Sequence, residues 1–156
     1  MVGVQGVAVQ GKAVVVGVGE SDYYKRGGAT DSEFQLACIA IRNAVADAGL
    51  ELSDVDGFTS YMDRNEPVRL SSALGTGPLR FTGQTFGGGG NGAAAAVALA
   101  DMAVSAGYAN CVVVFRALAQ GQFHRYGQAG KSRTARGRTS FTGPYGMLSA
   151  TQREAW

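Results

Sequence analysis

The sequence has few of the side chains that most often bind metals or act as nucleophiles. It contains two cysteines, Cys38 and Cys111, and one histidine, His124. The cysteines lie far apart without metal-ligand spacing, so no metal site is predicted. Both stand in apolar patterns, which predicts buried, reduced thiols in a cytoplasmic protein. A lone histidine does not provide a Ser-His-Asp or Cys-His set.

Long apolar segments and a strong charge imbalance are also missing. The N-terminus has no basic stretch followed by a long apolar one, so no signal peptide is predicted. The alanine-rich run 93–106 contains Asp101 and is shorter than the ~20 residues that span a bilayer. The net charge of +2 is too small to indicate nucleic-acid binding. We therefore expect neither a membrane nor a nucleic-acid partner.

Acidic residues are absent from 102 to 153. Within this range, 119–143 is rich in Gly, Ser, Thr and basic residues, which predicts a long basic loop. Its arginines could meet the phosphates of a ligand or form a solvated face. His124 could face a substrate or be an ordinary loop residue. The final residues read LSATQREAW, like the first turns of a helix, so we expect an incomplete polypeptide.

The rest of the chain alternates between strand and helix patterns. KAVVVGV (12–18) predicts a central strand buried on both faces, and TDSE (30–33) predicts the capping box of a helix that ends at Gly49. Further strands are predicted at 55–61, 79–86 and 110–118, and further helices at 67–74 and 93–106. This order predicts a layered α/β fold with a mostly parallel sheet.

The helix predicted at 93–106 is apolar on nearly every face, with Asp101 as its one charge. Such a helix is expected to be buried on all sides, between two layers.

The glycine-rich turn TFGGGGNG (85–92) stands directly before that helix. Backbone N–H groups at a helix start can hold an oxyanion or a thioester carbonyl, and glycines let a ligand approach them. Close packing of the helix start against a neighbouring backbone is the alternative reading. A second glycine-containing stretch, GVGESD (17–22), follows a predicted strand but lacks the third glycine of a dinucleotide fingerprint. The next helix also begins about ten residues later, so no helix start would meet a pyrophosphate, and nucleotide binding is not favoured.

Three stretches, in this order and spacing, resemble the thiolase superfamily and especially its lipid-transfer-protein branch: AVVVGVGESDYYKRGG, AIRNAVADAGLELSDVDGF and FGGGGNGAAAAVALADMAVSAGYANCVVVFRA. The resemblance covers about 12–155. It implies an α/β/α/β/α fold, of which this chain supplies the first βαβαβαβ half. Residues 1–118 would form that half and 119–156 the basic loop and the start of a further helix. It also implies a homodimer through the strand near Leu79–Phe86.

The chain departs from that family where the nucleophilic cysteine is expected, because Gly89 occupies its place and Asn91 the Ser/Thr place. Glycine cannot form an acyl-enzyme. The chain therefore is most similar to thiolase-like aldolases of steroid side-chain degradation, which cleave a β-hydroxyacyl-CoA by a retro-aldol reaction. Coenzyme A would enter as part of the substrate, without a bound cofactor. A thiolase-type acyltransferase and a non-catalytic lipid- or acyl-CoA-binding subunit remain alternatives.

In the same family, the acid/base side chains come from the second half, so the resemblance assigns no catalytic residue here, and this chain alone is expected to be inactive. It also implies an OB-fold partner protein. The predicted substrate-binding residues are Gly88, Gly89, Gly90, Asn91, His124 and Arg125.

Overall fold

Three parallel strands and three helices alternate along the part of the chain that the structure describes. The structure is a computed structural model and describes residues 13–61, 63–85, 91–119 and 122. The elements are α1 (Glu33–Asp47), β1 (Gly57–Tyr61), α2 (Pro67–Leu74), β2 (Phe81–Thr85), α3 (Asn91–Ser105) and β3 (Val112–Phe115). A short 3-10 helix, Leu52–Asp54, precedes β1. The predicted α/β class with a parallel sheet is confirmed.

The strand order is β2-β1-β3, with both pairings parallel. Gly57 of β1 lies opposite Phe81 on one side and Val112 on the other. The chain moves outward from β1 to β2 through α2 and returns across β1 to β3 through α3. Right-handed crossovers in opposite directions place α2 and α3 on opposite faces. In agreement, α1 contacts α2 and β3, whereas α3 contacts all three strands.

The helix ends follow local sequence signals. Gly49, Gly75 and Gly107 follow the three helices with positive φ, as predicted. The capping box of α1 is two residues later than predicted. The hydroxyl of Ser32 accepts from the Gln35 N–H at 3.2 Å, and the Gln35 side chain accepts from the Ser32 N–H at 2.8 Å.

The main core lies between the sheet and the helices α1 and α2. Its largest fully buried side chains include Phe58, Ile41 and Leu70. The Phe58 ring meets the Phe115 ring edge-on, with centroids 6.1 Å apart. On the other face, α3 buries a narrow stripe of small residues, Gly92, Ala96, Ala100 and Ala103.

The predicted N-terminal strand is wrong for the described residues 13–18, which form neither helix nor strand. Val14 and Val15 are 78% and 80% exposed. The segment lies against α1, where a Cβ on Gly19 would be 2.5 Å from the Ala40 carbonyl oxygen. An open groove of about 1440 Å³, lined by this segment, α1, β3 and α3, adjoins β3. A β-branched run becomes a strand only with a hydrogen-bonded neighbour, and no described residue pairs with 13–18 in this way.

Two burial predictions also need correction. Val97 and Met102 of α3 are 48% and 54% exposed, so the described residues cover one face of this helix rather than all of it. Cys38 and Cys111 are free thiols, as expected, but half-buried rather than buried. None of the helices in the described ranges is both long and apolar enough to cross a bilayer.

The described residues from 13 to 119 belong to one compact unit, and Gln122 belongs to a second. The predicted parts 1–118 and 119–156 stay a prediction, since the latter lies almost wholly outside the described residues.

Candidate functional site at the C-terminal edge of the sheet

The predicted substrate-binding residues are only partly within the described chain. Asn91 is the exposed first residue of α3. Gly88, Gly89, Gly90, His124 and Arg125 lie outside the described residues, so their roles stay predictions.

The start of α3 lies at the carboxyl ends of the strands. This edge is where parallel α/β sheets most often bind ligands. The helix follows β2 after the glycine-rich turn, and the Thr85 hydroxyl at the end of β2 donates to the Gly92 carbonyl at 3.2 Å. The first N–H groups of a helix have no partner inside it and carry partial positive charge. The first turn of α3 therefore offers backbone donors at this edge.

Tyr61, the last residue of β1, packs against this first turn. A Cβ added to Gly92 would lie 2.6 Å from Tyr61 Cδ2 and 3.1 Å from its Cγ, so only glycine permits this approach. Arg116, which follows β3, stacks on the Tyr61 ring with Cζ 4.0 Å from the centroid. Its Nη1 also donates to the Tyr61 hydroxyl. One tyrosine thus joins the ends of β1 and β3 to the start of α3.

Asp63 is a buried residue at the same edge and fixes the main chain there through hydrogen bonds. It is 9% exposed, and its carboxylate accepts from the main-chain N–H groups of Asn65 at 2.7 Å and Ala117 at 2.6 Å. Its carbonyl accepts from the Gln84 side chain at 2.7 Å. Asp63 therefore ties the segments after β1 and β3 to β2. No local sequence pattern reveals this role, because the main partner of Asp63, Ala117, is 54 residues away.

Beyond Arg116, a second carboxylate fixes the main chain. The Ala119 N–H donates to Glu33 Oε2 at 3.1 Å. The segment alternates between buried Ala117 and Ala119 and exposed Arg116 and Leu118. It therefore continues the extended course of β3, with carboxylates in place of a neighbouring strand.

At the amino ends of the strands, Asp56 has a structural role. Its carboxylate accepts from the N–H groups of Asn110 and Cys111, at 2.9 Å each. Arg80 lies 3.6 Å from it. Burial, together with the nearby carboxylates of Asp56 and then Asp54, raises the pKa of the Cys111 thiol. This neutral thiol lies at the amino end of β3, so it does not replace a nucleophile at the start of α3.

Within the described ranges, no group of three or more His, Cys, Asp or Glu side chains could hold a metal ion. The edge instead combines backbone donors, a phenol, a guanidinium and a buried carboxylate. Such groups can bind and orient a polar or anionic ligand.

Comparison with known proteins gives this geometry a context. No protein-family model matches the chain. The chain is 42% identical over 121 residues to 17-hydroxy-3-oxo-4-pregnene-20-carboxyl-CoA lyase of Mycobacterium tuberculosis, covering 77% of this chain and 31% of that protein. It is 41% identical over 124 residues to a steroid side-chain-cleaving aldolase of Thermomonospora curvata, covering 78% of this chain and 31% of that protein.

A solved structure titled Ltp2-ChsH2(DUF35) aldolase matches with a TM-score of 0.64 and 33% identity, covering 90% of this chain and 35% of that one. The chain thus spans about a third of the length of the relatives it matches. It has a thiolase-like fold and is related to the Ltp2-type steroid side-chain aldolases.

Proposed function

We propose that this chain is the N-terminal part of a thiolase-like enzyme that cleaves a β-hydroxyacyl-CoA by a retro-aldol reaction. The observation that carries the proposal is the identity of more than 40% to two proteins named as a CoA lyase and a steroid side-chain-cleaving aldolase. The absence of a nucleophilic side chain at Asn91 and Gly92, and the assignment of Gly89 to the cysteine position, support it. A retro-aldol reaction needs an acid/base and an oxyanion site rather than a nucleophile.

The reaction can be written without an acyl-enzyme. A base takes the proton of the β-hydroxyl, the Cα–Cβ bond breaks, and a ketone forms at Cβ. The bonding pair passes to the thioester, which becomes an enolate, and an acid then protonates Cα. The role proposed for the turn before α3 and for its first backbone N–H groups is to stabilise the enolate oxygen.

Substrate contacts and partners form part of the same proposal. We assign Gly88–Gly90 and Asn91 to the thioester region, and His124 and Arg125 to the substrate-facing side of the basic loop. The solved relative is named as an Ltp2-ChsH2(DUF35) aldolase, which supports the expected partner protein. β2 is an edge strand of the described sheet, which supports a homodimer through the segment near Leu79–Phe86. The free thiols support a cytoplasmic location.

The test uses the full-length protein, together with a DUF35 partner protein. Incubation with a steroid β-hydroxyacyl-CoA is expected to yield a ketone and a shortened acyl-CoA, detected by mass spectrometry. Failure to cleave with a competent partner present would refute the proposal. Saturable acyl-CoA binding without cleavage would instead identify a binding subunit.

A second experiment separates cleavage from acyl transfer. The wild-type protein is expected to gain no covalent label from a radioactive acyl-CoA. Gly89→Cys restores a thiol at the assigned position and is expected to gain a label there. Wild-type labelling, at Cys111 or elsewhere, would favour the acyltransferase alternative.

A further inference from the structure

One side chain, Tyr61, joins three separate chain segments at the proposed site. Its ring packs against Gly92 in the first turn of α3, at a distance that leaves no room for a Cβ. Its hydroxyl accepts a hydrogen bond from Arg116, which also stacks on the ring. Tyr61 itself ends β1.

Arg116 can hold this ring because its own main chain is fixed. The next residue, Ala117, donates its N–H to the buried Asp63 at 2.6 Å, and Ala119 donates to Glu33. Arg116 forms no ion pair with a carboxylate within the described part of the chain. Its stacking on Tyr61 and its hydrogen bond to the phenol therefore determine where the guanidinium lies.

The second contact to the start of α3 comes from Thr85, whose hydroxyl donates to the Gly92 carbonyl. That bond fixes one main-chain atom, whereas the Tyr61 ring fills the space beside the Gly92 α-carbon. β1 also holds the next turn of α3, because the Thr59 hydroxyl donates to the Ala96 carbonyl at 3.1 Å. The Tyr61 ring is the contact from β1 at the first turn itself, beside Gly92.

We propose that Tyr61 is a positioning residue of this site, and that Arg116 acts through it. The ring holds the first turn of α3 at the orientation in which its N–H groups can face the enolate oxygen, and Arg116 keeps the ring in place. This inference rests on the proposed aldol cleavage for its kinetic consequence, but the packing role can be measured without substrate.

The experiment compares Tyr61→Leu, Tyr61→Phe and Arg116→Met in the full-length protein with its partner. Tyr108→Leu and Arg42→Met are matched controls, because both side chains are exposed and lie on other parts of the chain. Amide hydrogen exchange is measured over 95–97, the first N–H groups of α3 that can bond within the helix. The values of kcat and KM for cleavage are measured in parallel.

Tyr61→Leu is expected to speed exchange by about tenfold and to lower kcat more than it raises KM, since the lost packing misplaces the donors. Arg116→Met is expected to speed exchange about two- to fivefold, the contribution of an exposed cation–π contact. Tyr61→Phe keeps the ring, so its exchange rate is expected to stay within about twofold of wild type. Both controls should match wild type.

Unchanged exchange in a folded Tyr61→Leu protein would overturn the proposal. Equal loss of kcat in the Phe and Leu variants would also overturn it, because the hydroxyl and not the ring would then matter. If Tyr61→Leu does not fold, Gly92→Ala displaces the ring from the other partner and should give the same faster exchange. If wild type fails to cleave while Tyr61→Leu still speeds exchange, the proposed function fails and the packing role stands.

Discussion

Replacing Asp56 by alanine is expected to lower the free energy of unfolding by more than the contribution of the ion pair between Asp56 and Arg80. Asp56 is 7% exposed, and its carboxylate accepts from two main-chain N–H groups and from the Asn110 side chain. A hydrogen bond to a charged group contributes about 1.5–3 kcal/mol. The Asn110 N–H returns partly to water in the variant, because that residue is exposed, whereas Cys111 is half-buried. We therefore expect a loss of about 3 kcal/mol in the free energy of unfolding.

The ion pair itself contributes little. Its N–O distance is 3.6 Å and the Arg80 side chain is 47% exposed, so solvent screens the attraction. Arg80→Met keeps most of the apolar stem and is expected to cost at most about 1 kcal/mol, the usual value of an exposed pair. Arg80→Met also removes the Arg80 Nη2 hydrogen bond to the Gly107 carbonyl at 3.1 Å, so its loss is an upper bound on the contribution of the ion pair.

Urea unfolding followed by circular dichroism measures both variants and wild type under one buffer. Asp56→Asn provides an intermediate, since one oxygen still accepts but the charge is lost. Equal losses in Arg80→Met and Asp56→Ala would refute the reasoning, because the main-chain hydrogen bonds of Asp56 would then contribute no more than the contacts of the Arg80 guanidinium. A loss below about 1 kcal/mol for Asp56→Ala would refute it as well, since the hydrogen bonds would then contribute less than such bonds usually do.

Three further outcomes are expected. In a Cys38→Ser background, Cys111 should react with iodoacetamide more slowly than a free thiol at pH 8 and faster as the pH rises, because burial raises its pKa, and Asp56→Asn should speed the reaction. Gly19→Ala should free the N-terminal segment from α1, seen as faster amide exchange at Val18, whose N–H now donates to Asp47. Phe58→Ala should lower the free energy of unfolding by about 3–5 kcal/mol in urea titration, because this ring is fully buried.

The element boundaries that the sequence predicts well depend on local chemistry. The helix predicted at 67–74 is observed with the same bounds, because Pro67 fixes the first turn and Gly75 adopts the left-handed conformation that ends it. The capping box of α1 was predicted two residues too early, because Thr30 and Glu33 suit such a box as well as Ser32 and Gln35 do. Glu33, predicted to complete the box, instead accepts from Ala119, a partner that no local pattern reveals.

The two buried carboxylates were missed for a related reason. Asp56 and Asp63 flank β1, and in sequence they read as ordinary polar residues at the ends of a strand. Their partners, Asn110 and Ala117, flank β3, and each lies 54 residues away in the sequence. Only the parallel pairing of β1 with β3 brings these segments together. The contact between Tyr61 and Arg116 could not be predicted for the same reason, since it joins the end of β1 to the end of β3.

The wrong burial predictions for the valine run and for α3 concern the same place, the groove beside β3. Val14–Val18 and the outer face of α3 both line it, and both were predicted to be buried. Composition and periodicity indicate how much apolar surface a segment carries, because that depends on the segment alone. They do not indicate which neighbour covers the surface, because that depends on chain topology. The valine run therefore keeps its strand propensity without a strand neighbour, and α3 keeps an apolar face that the described residues leave open.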